Sequence, residues 1–214
     1  MFRNRSEAGS RLAARLGHYR DRLDAIVLAL PRGGVVTGFE VARTLNLPLD
    51  VLIVRKIGFP LQPELAAGAV AETGSVVLNR EIISMGGLPD EFLQRELDRQ
   101  KQEIARRIAL YRAGRPLSGL EDMTIILVDD GVATGATIKA AIEALKREKI
   151  AKLVVALPVG PPETVEALRA MADECICLET PLAFMAVGAH YQDFTQTSDE
   201  EVVALLRQSA AKAA

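Results

Sequence analysis

The chain has 214 residues, 49% hydrophobic and 25% charged, which is enough apolar material for a sizeable core in one domain, with or without a small appendage. A net charge of −2 gives no bulk attraction to nucleic acid or to a membrane surface, so any anion must be held by local sites. Aromatic residues make up 4% and Trp is absent, so the core is aliphatic, and no apolar run is long enough to span a bilayer.

Met1 to Glu7 carries charges and no apolar stretch of the kind a secretory signal needs, so the cytoplasm is the expected compartment. Asn4 or Ser6 can cap a first helix reaching about Tyr19, with Ala8, Leu12 and Leu16 on one face. Ala25 to Leu30 is an unbroken apolar run and reads as a strand buried on both faces. It runs into Pro31-Arg32-Gly33-Gly34, and a helix follows over Val35 to Leu45. Arg32 can grip a phosphate with two donors at once, although a plain strand–helix turn with a surface arginine has the same letters. Leu49 to Val54 is the second strand. Arg55 and Lys56 then fall at its C-terminal end, where α/β sheets bind ligands, or are simply solvated. From Ile57 to Asn79 the residues Gly58, Pro60, Pro63, Gly68 and Gly74 interrupt the apolar runs, so a flexible loop with no long regular element is expected, turning at Glu72-Thr73-Gly74-Ser75. Asp90 to Tyr111 is a charged helix with Leu93, Leu97, Ile104, Ile108 and Tyr111 as its apolar stripe, stopped by Gly114 and Pro116. It packs on the core; a share in a homodimer interface is the sharper reading.

Ile125 to Val128 is a continuous apolar, mostly β-branched run and reads as a strand buried on both faces. Asp129 and Asp130 stand at its end, then the small, hydroxyl-bearing stretch Gly131-Val132-Ala133-Thr134-Gly135-Ala136-Thr137, then a helical pattern over Ile138 to Lys149. A strand, a tight loop and a helix N-terminus form an anion cradle from backbone N–H groups, and Thr134 and Thr137 can add hydroxyl donors. Two carboxylates beside a phosphate cradle make sense if the ligand also carries hydroxyls or a metal ion, as a sugar phosphate does. Leu153 to Leu157 is a fourth strand, Pro161-Pro162-Glu163 opens a helix ending near Met171, and Glu174 to Leu178 is a fifth strand. Cys175 and Cys177 in that strand share one face and read as small buried residues of a reducing compartment, not as a zinc site. Glu179 to Phe194 is loop-like and gathers Phe184, Tyr191 and Phe194; Thr197 or Ser198 can cap a last helix over Asp199 to Gln208. Strands alternating with helices imply an α/β fold, a doubly wound parallel sheet of about five strands in the order 2-1-3-4-5. The strand of Asp50 and the strand of Cys175 are then the edges, and the two glycine-bearing loops emerge side by side at the switch point.

Val128-Asp129-Asp130-Gly131-Val132-Ala133-Thr134-Gly135-Ala136-Thr137 resembles the phosphoribosyl-pyrophosphate motif of the type I phosphoribosyltransferases: an apolar run, two acids, three variable positions, then Thr-Gly-x-Thr. The likeness covers nearly the whole chain in layout, and only Asp129 to Thr137 is specific in its letters. It implies one phosphoribosyltransferase domain over 1–214, with a core of about 20–178, a flexible loop of about 57–79, a helical segment of about 90–112, and a hood of about 179–198 together with the N-terminal segment. It implies transfer of the 5-phosphoribosyl group from phosphoribosyl pyrophosphate to a purine- or pyrimidine-like base in nucleotide salvage, with pyrophosphate leaving and Mg²⁺ as cofactor. Val132 to Thr137 would hold the 5′-phosphate. Arg32, Gly33 and Gly34 would form the pyrophosphate loop, a place where this family often carries a non-proline cis peptide. Asp129 and Asp130 would hold the ribose diol and, through ribose hydroxyls or water, the metal. Arg55 or Lys56 would stabilise the leaving pyrophosphate, the 57–79 loop would close as a β-ribbon lid, and Phe184, then Tyr191, would stack on the base. The aromatics could equally cap the edge of the sheet. His190 reads as a hydrogen-bonded hood residue and His18 as a surface residue.

Ala133 departs from the hypoxanthine-guanine enzymes of the family, which carry an Asp at that place for the purine N7, so a 6-oxopurine acceptor is disfavoured. The alternative reading is a non-catalytic regulator that senses phosphoribosyl pyrophosphate; a nonenzymatic nucleotide-binding module acting through the 90–111 helix is a second. A ribose-phosphate diphosphokinase shares the acid-pair motif but is built from two such domains. Neither nucleic acid nor membrane is an expected partner.

Overall fold

The computed structural model describes residues 1–59 and 62–213. In chain order these form α1 (Arg5–Arg15), a 3₁₀ turn (Gly17–Tyr19), β1 (Ala25–Ala29), α2 (Gly33–Leu45), β2 (Leu49–Val51), β3 (Val54–Phe59), β4 (Gln62–Ala71), β5 (Val76–Leu78), α3 (Arg80–Gly86) and α4 (Asp90–Arg112). Then come β6 (Thr124–Val128), α5 (Ala136–Leu145), β7 (Lys152–Val159), α6 (Pro162–Arg169), β8 (Glu174–Glu179), a 3₁₀ turn (Val187–His190) and α7 (Asp199–Ala213). They divide into two compact units. The first comprises Met1–Val51, Gly119–Gly135 and Glu148–Ala214; the second comprises Leu52–Ser118 and Ala136–Arg147. Among the described residues no helix is long and apolar enough to cross a membrane.

The first unit holds a five-stranded parallel sheet in the order β2-β1-β6-β7-β8. Numbered within this sheet, that is the expected 2-1-3-4-5, with Asp50 and Cys175 in its edge strands. β1 and β6 pair residue for residue from Ala25 opposite Thr124 to Ala29 opposite Val128, and β6 continues in step onto β7 from Lys152 to Ala156. β1 and β6 therefore end level while β7 runs on to Val159, and the chain leaves β1 and β6 side by side. α1 and α2 cover one face of the sheet. Leu12, Leu16, Tyr19, Val41 and Leu45 pack there against Val27, Ile126, Val128 and Val154. Each such side chain contributes about 1.5–3 kcal/mol by leaving water, which explains why the unbroken β-branched runs become inner strands. Asn4 caps α1, its side-chain oxygen accepting from the Glu7 N–H at 2.9 Å.

The second unit departs more from what its letters suggest. β3, β4 and β5 form an antiparallel sheet, and β4 is a strand from Gln62 to Ala71 whose pairing with β3 shifts register on either side of Gly58, so Pro63 and Gly68 do not prevent a long element, although it is irregular. Gly68 works here because a Cβ at that position would lie 2.4 Å from the Val77 carbonyl oxygen; the glycine permits close strand contact instead of breaking the strand. The base of this ribbon is not loosely tied, since Ile57, Ala67, Ala69, Val70 and Ala71 are all buried. Of the stretch expected to be a mobile lid, Pro60 and Leu61 lie outside the described residues. The turn at 72–75 forms as expected, with Gly74 at φ 85°. Glu72, however, is no solvated turn residue: its carboxylate takes the Ile53 N–H at 2.8 Å and pairs with Arg112 at the end of α4. α3, capped by Asn79, is an element the sequence reading did not anticipate. α4 runs one residue beyond its expected end and stops at Ala113 and Gly114, both with positive φ.

Candidate active site

The level ends of β1 and β6 place two loops together. The Leu30 N–H donates to the Val128 carbonyl at 2.9 Å, carrying the ladder one step past β1. The Pro31–Arg32 peptide that follows is cis, and Arg32 is the N-cap of α2, making no side-chain capping bond there. A Cβ on Gly33 would stand 2.0 Å from Oδ2 of Asp130, and one on Gly34 would stand 2.8 Å from Oδ1 of Asp129. Only glycines at both positions let the first loop lie against the acids in this way.

The two acids are not equivalent. Asp130 is held by Arg5, whose Nε donates to Oδ2 at 2.6 Å; the two side chains are only 10% and 15% exposed. Arg5 also donates from Nη1 to the Thr195 carbonyl at 2.8 Å, and its guanidinium lies 3.8 Å over the Phe194 ring. It further lines a cavity of about 370 Å³ with Asn4, Ser6, Val36, Asp193 and Thr195. Asp129 turns Oδ1 to the Asp130 N–H at 2.8 Å. It keeps some exposure but is densely surrounded. Burial, then the neighbouring Asp130 charge, hold its carboxyl well above the ordinary carboxylate range, and Arg5 opposes that rise.

The remainder of the acid loop is tethered from one side. The Tyr191 hydroxyl donates to the Asp130 carbonyl at 2.5 Å, the Val132 N–H donates to the Val159 carbonyl at 2.9 Å, and the Thr164 hydroxyl donates to the Ala133 carbonyl at 2.8 Å. Gly131, at φ 152°, passes so close to Val187 that a Cβ would meet its side chain at 2.5 Å. Ala133 and Thr134 are exposed, and Gly135 takes φ 79°. The loop is thus fixed behind and open in front, as an anion cradle needs to be.

Of the residues singled out from sequence, Arg32, Gly33, Gly34, Asp129, Asp130, Val132, Ala133, Thr134, Gly135, Phe184 and Tyr191 lie in the first unit. Arg55, Lys56, Ala136 and Thr137 lie in the second. Arg55 and Lys56 do not follow the end of a strand of the parallel sheet. That strand closes at Val51, and the two cations sit inside β3, where Arg55 Nε donates to Gln100 of α4 at 2.9 Å. Tyr191 does not suit base stacking: it is 6% exposed, with Phe2 and Phe194 against its ring at 5.3 and 5.0 Å, and it serves as a backbone anchor for Asp130. Phe184 is half-buried and stacks on His190 at 5.2 Å and 16°. Arg5 was not anticipated at all. In sequence it is one of several charges opening α1, and its partners lie 125 and 190 residues further on. Among the described residues no group of three or more His, Cys, Asp or Glu side chains could hold a metal ion by itself.

Comparison with known proteins agrees with this geometry. The model of the phosphoribosyl transferase domain matches residues 4–193. Two curated proteins of Mycobacterium tuberculosis, strains CDC 1551 / Oshkosh and ATCC 25618 / H37Rv, are each 46% identical over 206 residues, 96% of this chain; their names are "Putative phosphoribosyl transferase MT0597" and "Putative phosphoribosyl transferase Rv0571c". The matched region is 46% of each relative, so the chain spans about half the length of the curated relatives it matches. The crystal structure of TT1426 from Thermus thermophilus is 44% identical, with a TM-score of 0.82 over 97% of this chain and 98% of that one. The paired acids, the tethered loop after them and the glycine loop beside them are therefore features of a chain that belongs to the phosphoribosyl transferase domain family.

Proposed function

We propose that the chain transfers the 5-phosphoribosyl group from phosphoribosyl pyrophosphate to a nitrogenous base and releases pyrophosphate. The observation that carries this reading is the pairing of loops at the level ends of β1 and β6. One offers two carboxylates and then an open, tethered cradle; the other offers a helix start with no side-chain cap that opens on two glycines. The cradle from Val132 to Gly135 binds the 5′-phosphate. Arg32, Gly33 and Gly34 bind the pyrophosphate, with Arg32 supplying the cation. Asp129 and Asp130 take the ribose diol between them. As the C1–oxygen bond to pyrophosphate breaks, the lone pair of the base nitrogen forms the new C1–nitrogen bond, and the proton on that nitrogen leaves to solvent. The ring carbon becomes oxocarbenium-like on the way, and the adjacent carboxylates favour that charge. Phe184 is the candidate surface for the base.

The donor set suits Mg²⁺ that arrives with the substrate better than a caged ion. Two carboxylates offer hard oxygens, Arg5 already occupies one of them, and Mg²⁺ keeps most of its shell as water and phosphate oxygens. Bound in that way, through the diol or a water on Asp129 and Asp130, it would neutralise charge on the leaving pyrophosphate.

The test is calorimetric titration of phosphoribosyl pyrophosphate with Mg²⁺, followed by pyrophosphate release measured over a panel of purine and pyrimidine bases. Saturable binding and turnover with at least one base are expected. Binding with no turnover across the panel would favour the sensor reading, and no binding would sink both.

A further inference from the structure

Arg5 stands out because three kinds of contact converge on one buried cation. Its Nε meets Asp130 at 2.6 Å, its Nη1 meets the Thr195 carbonyl at 2.8 Å, and its guanidinium covers the Phe194 ring at 3.8 Å. The glycine loop is closed against the same group: a Cβ on Gly33 would fall 2.7 Å from Arg5 Nε and 2.0 Å from Asp130 Oδ2. A surface arginine that merely satisfied a local charge would not be held from the acid loop, the tail and the ring at once. Its long stem would also gain little by ordering, because exposed ion pairs are worth almost nothing net.

The partner matters as much as the grip. Asp130 is one of two neighbouring carboxylates beside a cradle built for a polyanion. Two uncompensated negative charges at that place would oppose the entry of any phosphorylated sugar, at close range and in a partly desolvated setting where screening is weak. We propose that Arg5 is a positioning residue of the sugar-phosphate site: it cancels one charge of the acid pair and fixes the Asp130 carboxylate, so that the pair can receive the ribose without repelling its phosphates. This rests on the phosphoribosyl reading above. Arg5 acts through Asp130 and needs no contact with the ligand. Its effect belongs to ground-state binding, so its loss raises KM more than it lowers kcat.

A double-mutant cycle tests this. Arg5→Met, Asp130→Asn and the pair together are titrated with phosphoribosyl pyrophosphate and Mg²⁺, beside a urea melt of each. Arg5→Met is expected to weaken binding by about tenfold to a hundredfold, the usual range for a hydrogen bond to a charged group. In the Asp130→Asn background the same change should cost less than about threefold, because the charge it offsets is gone. Arg5→Lys should recover part of the loss, since an ammonium supplies the charge but not the fork that reaches Asp130 and Thr195 together. If the two losses simply add in binding, or couple only in the urea melt, Arg5 is a structural tie and the proposal fails. If wild type itself binds no phosphoribosyl pyrophosphate, the underlying reading falls and takes the role of Arg5 with it.

Discussion

Arg5 with Asp130, in the first unit, and Arg112 with Glu72, in the second, are both arginine–carboxylate pairs largely withdrawn from water. Glu72 is closed on all sides. Its side chain is 2% exposed, its carboxylate takes the Ile53 N–H as well as Arg112, and its own N–H returns to the Ile53 carbonyl at 2.9 Å. Such a pair fastens the turn after β4 to the end of α4 and has nothing left to offer a ligand. Asp130 is 15% exposed, has a second carboxylate as its immediate neighbour, and sits where the sheet ends against a loop that only glycine can form. The same chemical contact thus does two jobs. Where the carboxylate's remaining capacity is spent on backbone, the pair holds the fold. Where a second acid and an open loop adjoin it, the pair tunes a site.

Breaking each pair should separate these jobs. Arg112→Met leaves Glu72 buried without its cation, and the penalty for an uncompensated buried charge is about 3–5 kcal/mol. A large drop in urea resistance is expected. If Arg112→Met left stability within about 0.5 kcal/mol of wild type, the closed-pair half of the contrast would be wrong. The next effect is on chemistry. Asp129→Asn with Asp130→Asn keeps the shape of both side chains and removes the charges that favour the sugar cation. We expect about a hundredfold loss of turnover, roughly 2.7 kcal/mol of barrier. Full pyrophosphate release by the double variant, with any base that wild type accepts, would remove the ribose role.

The contrast also marks how far the sequence could be read. The five-stranded sheet was legible because unbroken apolar runs such as Ile125 to Val128 read as strands buried on both faces, and their alternation with helices implies a doubly wound parallel sheet. The acid loop was legible because strand, acids, glycine and threonine fall within a single stretch from Val128 to Thr137. The antiparallel ribbon was not. Gly68 and Pro63 look like breakers in isolation, and nothing local says that Gly68 will lie against the carbonyl of Val77. Arg55 was misplaced for a related reason: Leu49 to Val54 reads as one strand, whereas the chain leaves the parallel sheet at Val51 and begins a new sheet at Val54. Arg5 escaped notice, Glu72 was read only as a turn residue and Tyr191 as a stacking surface, because their partners are distant along the chain and a lone charge or ring carries no mark of the contact it will make.

The smallest expected effect is a change in how stability follows pH, and it bears on Asp129 alone. Its carboxyl is held well above the ordinary range by burial and by Asp130. In the unfolded chain the same group ionises near its usual value, about 3.9. Between that value and the raised folded one, the folded state binds the extra proton, so rising pH favours unfolding. The contribution of Asp129 is therefore fully present below the ordinary carboxylate range and is lost as pH climbs through the folded value. Asp129→Asn has no proton to lose there. Urea unfolding of wild type and variant, followed from acidic to neutral pH, should give curves that separate in favour of the variant as pH rises and run parallel once Asp129 is fully ionised. One proton limits the divergence to about 1.4 kcal/mol per pH unit. Carboxylates remote from the site titrate in both proteins and cancel in the difference. Curves that stay parallel throughout would mean that Asp129 ionises alike in the folded and unfolded chains. The difference between the two acids of the site would then rest on the Arg5 contact to Asp130 alone.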